Sequence, residues 1–153
     1  MVSIVYIHLL QQHKYYMNQN KNIIEKATVP KTTLEIFAKN LGLDINSSPF
    51  IGVQFLIGKS SENNWQIYKE SSTNDTIFHI DKFPSAYVIL NVPMDKLTNE
   101  LVLVAANLCK SKSKYKNVPN IGILYTQISN TVLGSKSGSF IINSNHKKKV
   151  IYV

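Results

Sequence analysis

The sequence predicts an α+β domain: a mostly antiparallel sheet packed against one main helix, with an accessory N-terminal helical segment. Three observations carry this expectation. Short apolar runs rich in β-branched and aromatic residues recur between clusters of Gly, Pro, Asn and Ser, the pattern of strands and turns. After Pro93 the apolar period changes from two to 3.6, the pattern of a helix with one face on a core. The chain has 153 residues, 44% of them apolar, enough for one domain with a substantial core.

The elements follow in order. Met1–Leu10 fits a strand or a helix, and Gln11–Lys26 is rich in Asn, Gln and Lys with only Tyr15-Tyr16 and Ile23-Ile24 as apolar pairs; Met17 offers a second possible start. From Pro30, the residues Leu34, Phe37, Ala38 and Leu41 fall at i, i+3, i+4, i+7 and close on Gly42, predicting a short amphipathic helix. Ser47-Ser48-Pro49 marks a boundary, which divides the chain into an extension over 1–48 and a domain over 49–153. Strands are then expected at Phe50–Ile57, Trp65–Tyr68, Ile77–Ile80 and Ala86–Val92, with Pro84 keeping Lys82–Ser85 out of any central ladder. The main helix carries Leu97, Leu101, Val104, Ala105 and Leu108 on one face, Glu100 in its first turn and lysines at its end, matching the helix dipole. Strands resume at Ile121–Tyr125, Ser139–Ile142 and Val150–Val153, with turns at Gly134–Gly138 and Asn143–Lys149.

Charge separates the thirds of the chain. All 17 basic residues are lysine, against nine acids, for a net charge of +8. Residues 96–153 hold nine lysines and a single acid, Glu100, so this third alone carries an excess equal to the whole net charge. Lysine binds phosphate as a hydrated point charge without the bidentate fork of arginine, so anion binding here should be weakly base-specific. One cysteine, Cys109, excludes an intramolecular disulfide, and no charged n-region and cleavage site mark a secretory leader, which points to a cytoplasmic setting. The longest apolar runs are about half of the roughly 18 residues a spanning helix needs.

Several chemistries lack their residues. Gly134–Gly138 and Gly58-Lys59-Ser60 do not have P-loop spacing. His8, His13, His79, His146 and Cys109 show no metal-ligand spacing, so neither metal nor other cofactor is expected. His79, Asp81 and Ser85 include the residue types of a hydrolytic site, but spacing supplies neither an activated nucleophile nor an oxyanion donor, and no catalytic residue is assigned.

The order of short motifs resembles the NFACT-R domain, the RNA-binding module of ribosome quality control proteins related to nuclear export mediator factor. The matching positions are Leu56-Ile57-Gly58-Lys59 with Asn63-Asn64, Asp75-Thr76-Ile77-Phe78-His79, Pro84-Ser85-Ala86-Tyr87-Val88, Tyr125-Thr126, Asn130-Thr131-Val132, Gly138 and Lys149–Val153, over about 100 residues. Three positions depart from it: Ile77 stands for the family's Trp, Tyr87 for its second His, and Val132-Leu133 for a Lys pair. The family's large N-terminal domain, helix-hairpin-helix and coiled coil have no counterpart, so functions that need them are not implied.

The resemblance and the charge together imply a non-enzymatic module that binds RNA, with ribosomal or transfer RNA as candidates and DNA as a second possible polyanion. The expected contacts are Lys59, His79, Lys82, Tyr87, Lys110, Lys112, Lys114, Lys116, Lys136, Lys147, Lys148 and Lys149, with Phe83 and Tyr87 beside an exposed loop where a ring can stack on a base. Two other readings stay open: a protein-interaction module that has lost nucleic-acid binding, and a hydrolase using His79.

Overall fold

The computed structural model describes residues 3–143 and 147–153, apart from the side chain of Asn20. Among the described residues, four α-helices and seven strands follow the order α1 (Ile4–Ala27), α2 (Lys31–Asn40), β1 (Phe55–Ile57), α3 (Ser61–Glu70), β2 (Thr76–Ile80), β3 (Val88–Leu90), α4 (Asn99–Ser111), β4 (Gly122–Gln127), β5 (Thr131–Leu133), β6 (Phe140–Ile142) and β7 (Lys149–Tyr152). Five strands form an antiparallel sheet in the order β1-β3-β2-β4-β7, and β5 and β6 form a separate hairpin. The chain is therefore an α+β domain with a helical N-terminal segment.

The sheet divides the core in two because successive side chains of a strand face opposite ways. On one face Phe78, Ile80, Val88 and Leu90 pack with α4, α2 and Val29. On the other Ile77, Tyr87, Ile89 and Leu56 pack with Ile67 of α3, Ala27 of α1, Ile128 and the β6 residue Phe140. The main helix forms as its pattern predicts: Thr98 caps it by accepting from the Leu101 N–H, Glu100 lies in its first turn, and Leu101, Val104, Ala105 and Leu108 are buried. Burying each of its Leu and Val side chains is worth about 1.5–3 kcal/mol. Helix α2 likewise buries the expected Leu34 and Ala38.

Three expectations need correction. Trp65–Tyr68 is not a strand but the middle of α3, which Ser60 starts by accepting a hydrogen bond from the Asn63 N–H at 3.1 Å. Its aromatic composition favours a strand, yet burial of Ile67 and the hydrogen bond from Trp65 Nε1 to the Ser139 carbonyl are satisfied on a helix. The strand expected over Phe50–Ile57 begins only at Phe55, because Pro49 nucleates a 3-10 turn over Ser48–Phe50 instead. Strand β5 was not expected at all. The turn expected at Asn143–Lys149 falls partly on 144–146, outside the described residues.

Helix α1 resolves the ambiguity of the N-terminal segment. Ser3 caps it through the Tyr6 N–H, and its C-terminal end is fixed by Ala27, with Ile23 and Ile24 packed against the core. The earlier turns stand clear of the domain and leave Ile4, Val5, Leu9, Tyr15, Tyr16 and Met17 exposed. Beyond α1, the Val29 N–H donates to the Phe55 carbonyl at 2.8 Å and Thr28 bridges to Leu56, which covers the β1 edge of the sheet. Among the described residues no helix is long and apolar enough to cross a membrane.

Candidate nucleic-acid interface

At the sheet end where β1 and β2 finish, a cleft of about 870 Å³ opens between four segments. Its walls are the end of α1 with the following linker (Lys26–Pro30), the β1–α3 turn (Ile57–Ser61), the loop before β3 (Pro84–Ala86) and the end of α4 (Leu108, Lys112–Lys114). Lys26, Lys59, Lys112 and Lys114 line it and no acidic residue does. Four exposed ammonium groups facing one space repel each other and attract an anion. Hydroxyls of Ser60 and Ser61 add neutral donors to the same walls, whereas those of Ser85 and Ser113 donate to the Ala86 and Lys110 carbonyls.

One side chain holds two of these walls together. Asn64 is only 4% exposed. Its Oδ1 accepts from the Tyr87 N–H at 3.0 Å and its Nδ2 donates to the Ser85 carbonyl at 3.2 Å, tying α3 to the loop before β3. Gly58 makes room for it: a Cβ there would overlap the Asn64 carboxamide, while the Gly58 N–H donates to the Tyr87 carbonyl at 2.9 Å. Asn63 Oδ1 accepts from the Lys59 N–H at 2.9 Å, which sets the turn that presents Lys59. The positive end of the α3 dipole lies at Ser60 and Ser61 on the cleft wall.

The lysines named from the sequence do not all converge on the cleft. Lys59, Lys112 and Lys114 lie in the cleft, joined by Lys26, which sequence reading missed. Lys136 sits in the β5–β6 turn, and that turn meets α3 where Gly138 approaches Ser61. Lys82 occupies the β2–β3 loop with φ of 68°, next to Phe83 and Pro84, and Lys116 is exposed just beyond Lys114. Lys110 instead donates to the main-chain oxygen of Val153 at 2.9 Å. Lys147, Lys148 and Lys149 lie at the start of β7, whose Lys149 pairs with Tyr125 toward the far end of β4. Strand β7 is four strand spacings from β1, about 19 Å at about 4.8 Å each, so this trio does not share the cleft.

Tyr87 is inside rather than on the surface, and His79 is half-buried. Tyr87 is 0% exposed, and its ring meets those of His79 and Phe140 edge-on at 5.7 and 5.3 Å, so no face is open to a base. Its hydroxyl is buried with no hydrogen-bond partner among the described residues, and burial pushes its pKa above the usual tyrosine range. Such a stranded hydroxyl costs stability, so Tyr87→Phe is expected to raise the unfolding free energy by about 1 kcal/mol in a denaturant titration. His79 Nδ1 lies 2.6 Å from the Ile80 carbonyl oxygen, and burial holds the imidazole below its ordinary 6.5, outweighing that hydrogen bond and the Asp81 charge. Burial thus favours its neutral form.

The hydrolytic residues are not brought together. His79 belongs to the sheet face that carries Phe140 and Tyr87, whereas Ser85 Oγ lies toward α4, 3.9 Å from Cys109 Sγ. The Ser85 hydroxyl accepts from the Ile80 N–H at 3.0 Å and donates to the Ala86 carbonyl, not to His79. Burial pushes the Cys109 thiol up to about 12, which keeps it protonated and unreactive. Of the two rings expected beside this loop, Phe83 is the exposed one, and it rests on Tyr115 with centroids 4.7 Å apart; Lys114 Nζ lies 5.4 Å from the Tyr115 ring.

An antiparallel α+β domain with a lysine-lined, acid-free cleft has the electrostatics of a nucleic-acid-binding module. The sequence model of the NFACT protein RNA binding domain matches residues 49–144, and the chain belongs to that family. A search of curated proteins finds no match. Among solved structures, the C-terminal part of the fibronectin/fibrinogen-binding protein from Streptococcus suis is similar in fold, with a TM-score of 0.59 and 20% identity. The match covers 67% of this chain and 41% of that one, so this chain spans less than half the length of that structure.

Proposed function

We propose that the protein is a non-enzymatic RNA-binding module that grips the sugar–phosphate backbone in the cleft formed by Lys26, Lys59, Lys112 and Lys114. The observation that carries this reading is the convergence of four lysines from three separate segments on one space with no acid among its lining residues. Membership of an RNA-binding family supports it. Structured RNA at or near the ribosome, ribosomal or transfer RNA, in a cytoplasmic quality-control setting, is the partner that fits the family. Lys136, Lys82 and Lys116 extend the attraction around the rim.

Salt dependence tests the reading directly. Neutralising four phosphates of a single strand releases about 0.7 counterion each, so log K against log salt should fall with a slope of about −2.8 for a short unstructured RNA. Binding measured by fluorescence anisotropy that is absent at low salt, or indifferent to salt, would reject it.

A further inference from the structure

We infer that Phe83 and Tyr115 form a platform for one unpaired nucleobase at the mouth of the cleft, so that the preferred ligand is a single strand or an unpaired loop of RNA. The inference rests on the reading that RNA occupies the cleft and adds which part of the RNA the protein reads. Phe83 leaves 45% of its surface open although it is a large aromatic in a chain with ample core to hide it. Two backbone features put it there. Lys82 adopts the left-handed φ of 68°, and the exposed Pro84 that follows cannot donate to a ladder, so the loop turns outward before β3 begins. The ring is not loose: it is backed by Tyr115, tilted 35° to it, and Tyr115 is itself packed against the core. A held ring with an open side is what base stacking needs.

Positive charge lies beside the ring pair. Pro84, the neighbour of Phe83, and Lys114, the neighbour of Tyr115, both line the cleft. Lys114 Nζ is 5.4 Å from the Tyr115 ring centre, which adds positive potential beside the platform. A base and its own phosphate are separated by one sugar, so a base on Phe83 leaves its phosphate beside Lys114 and Lys112. Paired bases are already stacked inside a duplex and cannot use the platform.

The test compares three probes by anisotropy: an unstructured single-stranded RNA, a blunt RNA duplex with the same number of phosphates, and linear inorganic polyphosphate of matched charge. The expected result is that the protein prefers the single strand to both other probes. Phe83→Ala should weaken the single strand about tenfold, by the loss of one stacked base, and leave polyphosphate unchanged, while Phe83→Trp retains or improves RNA binding. Phe83→Leu serves where the alanine variant does not fold, with the same loss expected. The inference is overturned if Phe83 variants with a normal denaturation midpoint bind the single strand as tightly as the parent, if polyphosphate binding falls equally, or if the duplex binds more tightly. Those outcomes leave the salt slope, and hence the RNA reading, intact. Failure of the parent protein to bind any RNA rejects both.

Discussion

Replacing Lys26, Lys59, Lys112 and Lys114 together by alanine is expected to weaken binding of a short unstructured RNA about 100-fold at physiological salt and to remove most of its salt dependence, leaving only the small part owed to the rim lysines. Each phosphate contact releases about 0.7 counterion, which near 0.15 M salt is worth roughly a factor of three to four, and four such factors multiply to the order of 100. All four side chains are exposed, and no acid shares the cleft with them, so their removal takes away mutual repulsion and should not weaken the fold. Isotherms at several salt concentrations separate the two parts of this result. The control is Lys147, Lys148 and Lys149 replaced together, because these lie at the opposite edge of the sheet. An equal loss from that triple variant would move the interface away from the cleft and reject the assignment.

The largest effect on stability is expected from Asn64→Ala, a loss of about 2–4 kcal/mol. The substitution strands the Tyr87 N–H and the Ser85 carbonyl, both bound by Asn64 in the native protein. A buried polar group left without a partner costs about 1–3 kcal/mol, and the vacated carboxamide leaves a small void beside Gly58. Gly58 cannot relieve the void, since it has no side chain to move. Chemical denaturation should show a lower midpoint with an unchanged m-value. A shift worth less than about 1 kcal/mol would show that water or a local shift of the loop replaces the lost bonds.

The residues explain which parts of this arrangement sequence reading could reach. Helix α4 was legible because Leu101, Val104, Ala105 and Leu108 meet the core in the period of the helix itself. Helix α3 was not, because Trp65, Ile67 and Tyr68 have strand-like composition and their helical state is decided by partners far along the chain, Ser139 for Trp65 and Thr131 for Tyr68. Lys59, Lys112 and Lys114 were named from charge and family resemblance, but charge alone could not separate them from Lys147–Lys149. Lys26 was missed because its segment has no periodic pattern of its own until Ile23, Ile24 and Ala27 find the core. Tyr87 looked accessible beside Pro84, yet whether the residue just before β3 faces water depends on the β5–β6 hairpin, which brings Phe140 against it. The departures from the family pattern at Ile77 and Tyr87 likewise proved to be core substitutions, both 0% exposed, rather than changes to a surface.

The four walls of the cleft come from the end of α1, the start of α3, the loop before β3 and the end of α4, segments scattered from Lys26 to Lys114. No continuous stretch of the chain carries the site, and it vanishes when the domain opens. Folding and ligand capture are thus one linked equilibrium: whatever occupies all four walls adds to the stability of the closed domain by RT ln(1 + [L]/Kd), and whatever loosens α1 from its seat subtracts from affinity by the same thermodynamic coupling.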